Sequence, residues 1–175
     1  MTIRVLDPRV DPDQEPLALA PAVASLDGAT IGLLDNTKIG TTRFYDHLEE
    51  LLRRHGVREV VRRRKPDASR PVPPEMLDDF VTADAIVSGI GDWGSCSSCS
   101  LHDALSAERR GILAVAIMTD RFTVTAREMA AVEGLPEYPF VVIDHPIAGN
   151  PDAELRGKAE RALTSIIALM TRRGA

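Results

Sequence analysis

The chain has 175 residues, 44% of them hydrophobic, with 21 Lys and Arg against 26 Asp and Glu and a formal charge of −5. At about 150 residues per domain this is one domain with a short extension. The acidic balance argues against nucleic acid as a partner, because binding a phosphate backbone needs a basic face. The longest apolar run, Ile112 to Met118, is far short of the ~20 residues of a membrane helix. The first residues lack the apolar stretch of a signal peptide. Two cysteines, Cys96 and Cys99, do not make a disulfide scaffold. These features imply an acidic, cytoplasmic protein with no membrane association.

Residues 1–28 carry prolines at 8, 12, 16 and 21 and no periodicity, and read as an extended arm ahead of an α/β domain at 29–175. Thr30 to Asp35 is a buried strand that meets the polar loop Asn36-Thr37-Lys38. Thr41 or Thr42 caps a helix with the stripe Phe44, Leu48, Leu51 and Leu52, ended by His55-Gly56. Val57 to Val61 is the second strand, followed by Arg62-Arg63-Arg64-Lys65-Pro66. Pro73-Pro74-Glu75 opens a helix, proline being harmless in a first turn.

Ala85 to Ile90 is the third strand and runs into Gly91-Asp92-Trp93-Gly94-Ser95-Cys96. A helix begins near Ser97 and ends at Gly111. Ile112 to Met118 is the fourth strand, with Thr119-Asp120 at its exit and a helix from Phe122 to Glu133. Phe140 to Ile143 is the fifth, leaving through Asp144-His145-Pro146, and a last helix covers Asp152 to Thr171. Strands apolar throughout, alternating with amphipathic helices, need both sheet faces covered. That predicts a doubly wound, mostly parallel five-stranded sheet of flavodoxin-like order, 2-1-3-4-5.

Ligands of such sheets sit beyond the carboxyl ends of the strands, at the switch point between the first and third. Asn36, Lys38, the loop from Gly89 to Cys99, Thr119 and His145 all fall there, and with them both cysteines. Small residues such as Gly94 and Ser95 let the chain turn tightly into a helix. A thiol at a helix N-terminus meets the positive end of the dipole and unpaired amides. Cys96-Ser97-Ser98-Cys99 has the spacing of a redox pair, one thiol attacking and the other resolving. The plainer alternative is two small core fillers. Cys96, Cys99 and His102 also offer thiolate and imidazole ligands at i, i+3 and i+6, which leaves a metal site as the lesser alternative.

Asn36 and Lys38 could orient a substrate carboxylate or stabilise negative charge, or equally cap the loop and face solvent. His145 could exchange a proton with a thiol, or simply be a hydrogen-bonded loop residue. Asp92 is read as shaping its turn by hydrogen bonding. The run Arg62 to Lys65 could hold an anionic substrate, or be a solvated strand end. No P-loop, dinucleotide-binding glycine fingerprint or serine nucleophile elbow occurs, so no cofactor is predicted.

The segment Gly91-Asp92-Trp93-Gly94-Ser95-Cys96-Ser97-Ser98-Cys99-Ser100-Leu101-His102-Asp103-Ala104 resembles the signature loop of the UGSC family of bacterial (seleno)proteins. Gly32 to Lys38, Val60 to Pro66 and His145 to Gly149 add to the likeness, which spans nearly the whole chain. The resemblance implies thiol or selenol chemistry in this loop. Trp93 stands where the family has selenocysteine or cysteine, and Gly94, Ser95 and Cys96 match the three positions after it. Indole is no comparable nucleophile, so chemistry that needed the first chalcogen is either lost or transferred to Cys96 and Cys99. Trp93, the sole tryptophan, could instead form an apolar wall for a substrate or partner, or plug the sheet edge.

The expectation is a thiol-dependent enzyme acting on a small, anionic substrate. Cys96, Cys99 and His145 would be catalytic, and Asn36, Lys38, Asp92, Trp93, Gly94, Ser95 and Thr119 would bind substrate. The competing expectation is a non-catalytic subunit in a homo- or hetero-oligomer with a family member, using Trp93 and the arm for assembly.

Overall fold

The computed structural model describes residues 18–171. Strands β1 (Thr30–Asp35), β2 (Glu59–Arg64), β3 (Ala85–Gly91), β4 (Leu113–Thr119) and β5 (Val141–Ile143) form one sheet in the order β2-β1-β3-β4-β5. Every pairing is parallel. With them alternate helices α1 (Thr41–Arg54), α2 (Pro74–Asp78), α3 (Gly94–Glu108), α4 (Thr123–Val132) and α5 (Asp152–Thr171). The sheet is flavodoxin-like, as the apolar strands require.

Alternation along each strand divides the apolar side chains between two cores. Ile31, Leu33, Val87 and Val115 pack with Phe44 and Leu48 of α1 and Ala159 and Ile166 of α5. Leu34, Ile86, Ala114 and Met118 face the other way, against Leu77, Phe80, Leu101 and Ala126. Gly32 lets Phe80 lie flat on β1, since a Cβ there would come within 2.5 Å of the Phe80 ring.

The second strand departs from expectation. It runs Glu59–Arg64 rather than Val57 to Val61, so the arginines lie in the strand and not beyond it. Carboxylates on both faces make this tenable. Arg62 meets Asp46 at 2.6 Å and Asp35 at 3.2 Å, while Arg63, pointing oppositely, meets Asp79 at 2.6 Å. A charged edge strand also resists pairing with another sheet edge. The arginine run is thus engaged with the protein's own acids, and only Arg64 stays largely exposed, 3.8 Å from Asp35.

Two helix starts differ as well. Helix α3 begins at Gly94, three residues ahead of Ser97, and closes at Glu108. Neither Thr41 nor Thr42 caps α1. The cap is Gly40, whose φ of 92° suits glycine, and a Cβ there would run into the Ile147 carbonyl. The loops after β1 and β5 are therefore in contact. Residues 1–17 of the expected arm lie outside the described residues. Residues 18–28 follow the amino edge of the sheet, where Ala20 N–H donates to Glu108 at 2.7 Å and Val23 N–H to the Met170 carbonyl at 3.0 Å. Among the described residues no helix is long and apolar enough to cross a membrane.

Candidate functional site

The loop after β1 is set by a buried carboxylate. Asp35 accepts from Thr37 N–H at 2.8 Å, from the hydroxyls of Thr41 and Thr42 at 2.9 and 3.0 Å, and from Arg62. The threonines that sequence reading placed as helix caps anchor this loop instead. Asn36 is buried beneath it. Its amide donates to the Ile90 carbonyl at 2.8 Å and lies 3.3 Å from the Ser100 hydroxyl, tying the exit of β1 to that of β3. Asn36 thus holds the backbone, and Lys38 is the side chain the loop delivers.

What Lys38 reaches is Cys96. The thiol is 1% exposed, yet its surroundings are polar. Its Sγ lies 3.1 Å from Trp93 N–H, 3.4 Å from Asp92 N–H and 3.5 Å from Lys38 Nζ. The Trp93 carbonyl, 3.4 Å away, can take the thiol proton in a hydrogen bond. Cys96 stands in the first turn of α3, where free amides and the helix dipole also favour an anion. Trp93 is 62% exposed, and its ring centre is 5.0 Å from the same ammonium, a cation–π distance. Gly94 opens the helix, and the exposed Ser95 hydroxyl lies 3.1 Å from that of Ser69.

A second cluster shares Asp92. His145 Nδ1 lies 2.8 Å from Asp92 Oδ1 and 3.4 Å from the Thr119 hydroxyl, which in turn donates to the Gly91 carbonyl. The His145 N–H donates to Asp120 at 3.0 Å, and the Ile147 N–H to Asp92 Oδ1 at 3.2 Å. A carboxylate facing Nδ1 assigns the ring proton there and leaves Nε2 as an acceptor. Asp92 is buried, and its Oδ2 has no hydrogen-bond partner among the described residues. Asp92 therefore does more than shape its turn: its backbone faces the sulfur and its side chain orients the imidazole.

Cys99 belongs to different surroundings. Burial pushes its thiol pKa up, Asp103, Cys96 and Asp67 add to the rise, and Lys65 opposes it. Lys65 and Asp103 form an ion pair at 2.5 Å with both side chains shut off from solvent, and Asp103 also accepts from Val72 N–H at 2.7 Å. Burial raises the Asp103 carboxyl as well, against the pull of Lys65. His102 turns to Glu133, at 2.6 Å. Among the described residues no three His, Cys, Asp or Glu side chains come together as a metal site, so the set Cys96, Cys99 and His102 is not assembled.

The fold thus brings Lys38, Asp92, Trp93 and Cys96 together, and joins His145 and Thr119 to them through Asp92. Two surface hollows of about 390 and 370 Å³ lie along α3, and Cys96 lines neither. Both are mainly apolar, whereas the converging donors sit at the sheet edge. Sequence reading gave no role to Asp120, Asp103 or Lys158. A signal existed for two of these residues: Asp103 and Lys158 interrupt the buried stripes of their helices.

Fold and site together define a flavodoxin-like α/β protein with a cysteine seated where the sheet order reverses. A family model described as the UGSC family matches residues 4–172, and the chain belongs to that family. No curated protein matches it in sequence.

Proposed function

We propose that the protein is a thiol-dependent enzyme of the cytoplasm, where thiols stay reduced, acting on a small anionic electrophile. Cys96 is the nucleophile. Its thiol proton passes to Nε2 of His145, which Asp92 orients; the sulfur forms a bond to an electrophilic carbon of the substrate, and the electron pair displaced there leaves with that same proton. Lys38 and the amides at the start of α3 balance the negative charge of sulfur and substrate, and Trp93 supplies an apolar wall.

The observation that carries this reading is the ring of three donors around the Cys96 sulfur: Lys38 Nζ and the N–H groups of Asp92 and Trp93. Core-filling cysteines lack such company. A nucleophilic role suits Cys96 better than a dithiol redox cycle, because burial raises the thiol pKa of Cys99 and so disfavours it as a resolving thiolate. Treatment with iodoacetamide near neutral pH, followed by peptide mass spectrometry, tests the reading. Cys96 is expected to alkylate faster than free glutathione. A Cys96 that stays unmodified while the protein is folded overturns it.

One observation favours a second reading, a non-catalytic subunit that assembles with a family member. Trp93 and Ile39, exposed by 62% and 77%, both stand at the carboxyl edge of the sheet, and large apolar side chains so placed are suited to a partner surface. Co-purification with a homologue together with an inert Cys96 selects it.

A further inference from the structure

We propose that Lys158 is a positioning residue for His145, an inference that rests on the acid–base reading of His145 above. Lys158 lies in α5 among Leu155, Ala159 and Ala162, and is 1% exposed. An ammonium there is heavily desolvated and persists only where its protons find acceptors. They do. Lys158 Nζ donates to the Pro146 carbonyl at 2.6 Å and the Asp144 carbonyl at 3.0 Å, and lies 3.4 Å from Glu154 Oε1. The two carbonyls are those immediately before and after His145.

The amides of the same segment are held as well. His145 N–H donates to Asp120 and Ile147 N–H to Asp92 Oδ1. The backbone from 144 to 147 is gripped from α5 and from the ends of β3 and β4. His145 projects from the middle of that grip towards Asp92 and Thr119, with the Phe122 ring 5.7 Å from its own. The Asp144 carboxylate points elsewhere, to Arg161 at 2.9 Å, so Lys158 holds the carbonyl and not the charge. Asn150 gives the Pro146 carbonyl a second donor at 2.5 Å. The Asp144 carbonyl therefore depends on Lys158 more than the Pro146 carbonyl does. An apolar residue at 158 would satisfy the buried stripe of α5 but leave that carbonyl to turn towards water, and the imidazole would turn with it.

The test compares Lys158→Met and Lys158→Gln with the full-length wild-type chain. The ring nitrogens of His145, followed by ¹⁵N NMR, are expected to show a proton fixed on Nδ1 in the wild type and a tautomer mixture in Lys158→Met. Lys158→Gln, which can donate to one carbonyl, should fall between. The rate of Cys96 alkylation by iodoacetamide across pH is expected to change in Lys158→Met in the same sense as in His145→Ala, by about tenfold, within the ~100-fold that a 1 Å misplacement can cost. Core amide signals stay in place in both, which a loss of fold would not allow. Unchanged His145 ring signals in whichever variant folds overturn the proposal. His145→Ala leaving the alkylation profile untouched removes the acid–base reading instead, while the ring signals still test the hold of Lys158 on the imidazole.

Discussion

The Lys38 ammonium stands 3.5 Å from the Cys96 sulfur, although 58 positions of chain separate the two residues. Parallel β1 and β3 are neighbours in the sheet, so the loops that leave them come out side by side. The buried carboxylate of Asp35 and the buried amide of Asn36 then fix the loop that carries the lysine. A charged donor is placed on a thiol by the topology of the sheet, with no long-range flexibility to overcome.

Removing that donor should be felt at the sulfur. Lys38→Met is expected to slow Cys96 alkylation near neutral pH by roughly tenfold or more, since a hydrogen bond to a charged group is worth about 1.5–3 kcal/mol. Trp93→Ala, which strips away the exposed ring beside the ammonium, should speed it. Stopped-time labelling with mass spectrometry reads both, and equal rates in all three proteins would mean that neither side chain governs access or charge at Cys96.

The two thiols should separate by pH. With its pKa raised by burial and by Asp103, Cys96 and Asp67, against Lys65, Cys99 holds its proton above the ordinary thiol range. It should label slowly at neutral pH and gain only as the pH climbs beyond about 8.5, the usual cysteine value. A pH series on Cys96→Ser isolates it. Rapid neutral labelling of Cys99 would contradict the environment described.

The Lys65–Asp103 pair makes a stability prediction. Lys65→Met leaves a buried carboxylate without its counter-charge, a loss of about 3–5 kcal/mol. Lys65→Met/Asp103→Asn should recover part of it, because the amide oxygen still accepts from Val72 N–H while the charge is gone. Urea midpoints measure both, and a single variant as stable as the wild type would show that the pair is not closed to solvent.

Glu133 gives a prediction at low pH. Burial works against its ionisation, yet hydrogen bonds from His102 and Arg109 outweigh it and hold the carboxyl below its usual range. A depressed folded-state pKa adds stability that is complete above the unfolded value, about 4.3, and fades as the pH falls through the folded one. Glu133→Gln should therefore cost stability at pH 6 and progressively less as the pH falls below about 4.3, by denaturant titration. A penalty that does not shrink on acidification would place the effect in packing.

The sheet was legible because each strand is apolar enough to be read without its neighbours. Strand β2 was the exception: Arg62, Arg63 and Arg64 look like a loop until Asp35, Asp46 and Asp79 are seen opposite them. The position of Lys38, Trp93 and Cys96 at one sheet edge followed from strand order alone. Asn36 did not: whether a polar residue after a strand faces substrate or the interior depends on acceptors such as the Ile90 carbonyl, distant in sequence. His102 failed as a ligand for a similar reason, since Glu133, just past the end of α4, claims it. Lys158 was hidden because helical periodicity treats any residue in an apolar stripe as packing and says nothing of carbonyls aimed at it.

Residues 18–28 cross the rim of the sheet that lies away from the sulfur, fastened to the tail ends of α3 and α5. A strand such as β3, seven residues long, separates the two rims by about 23 Å. Fluorophores, affinity handles or surface tethers grafted onto that stretch would consequently leave the reactive rim facing open solution, so immobilised protein can be challenged with candidate reagents without its orientation masking the result.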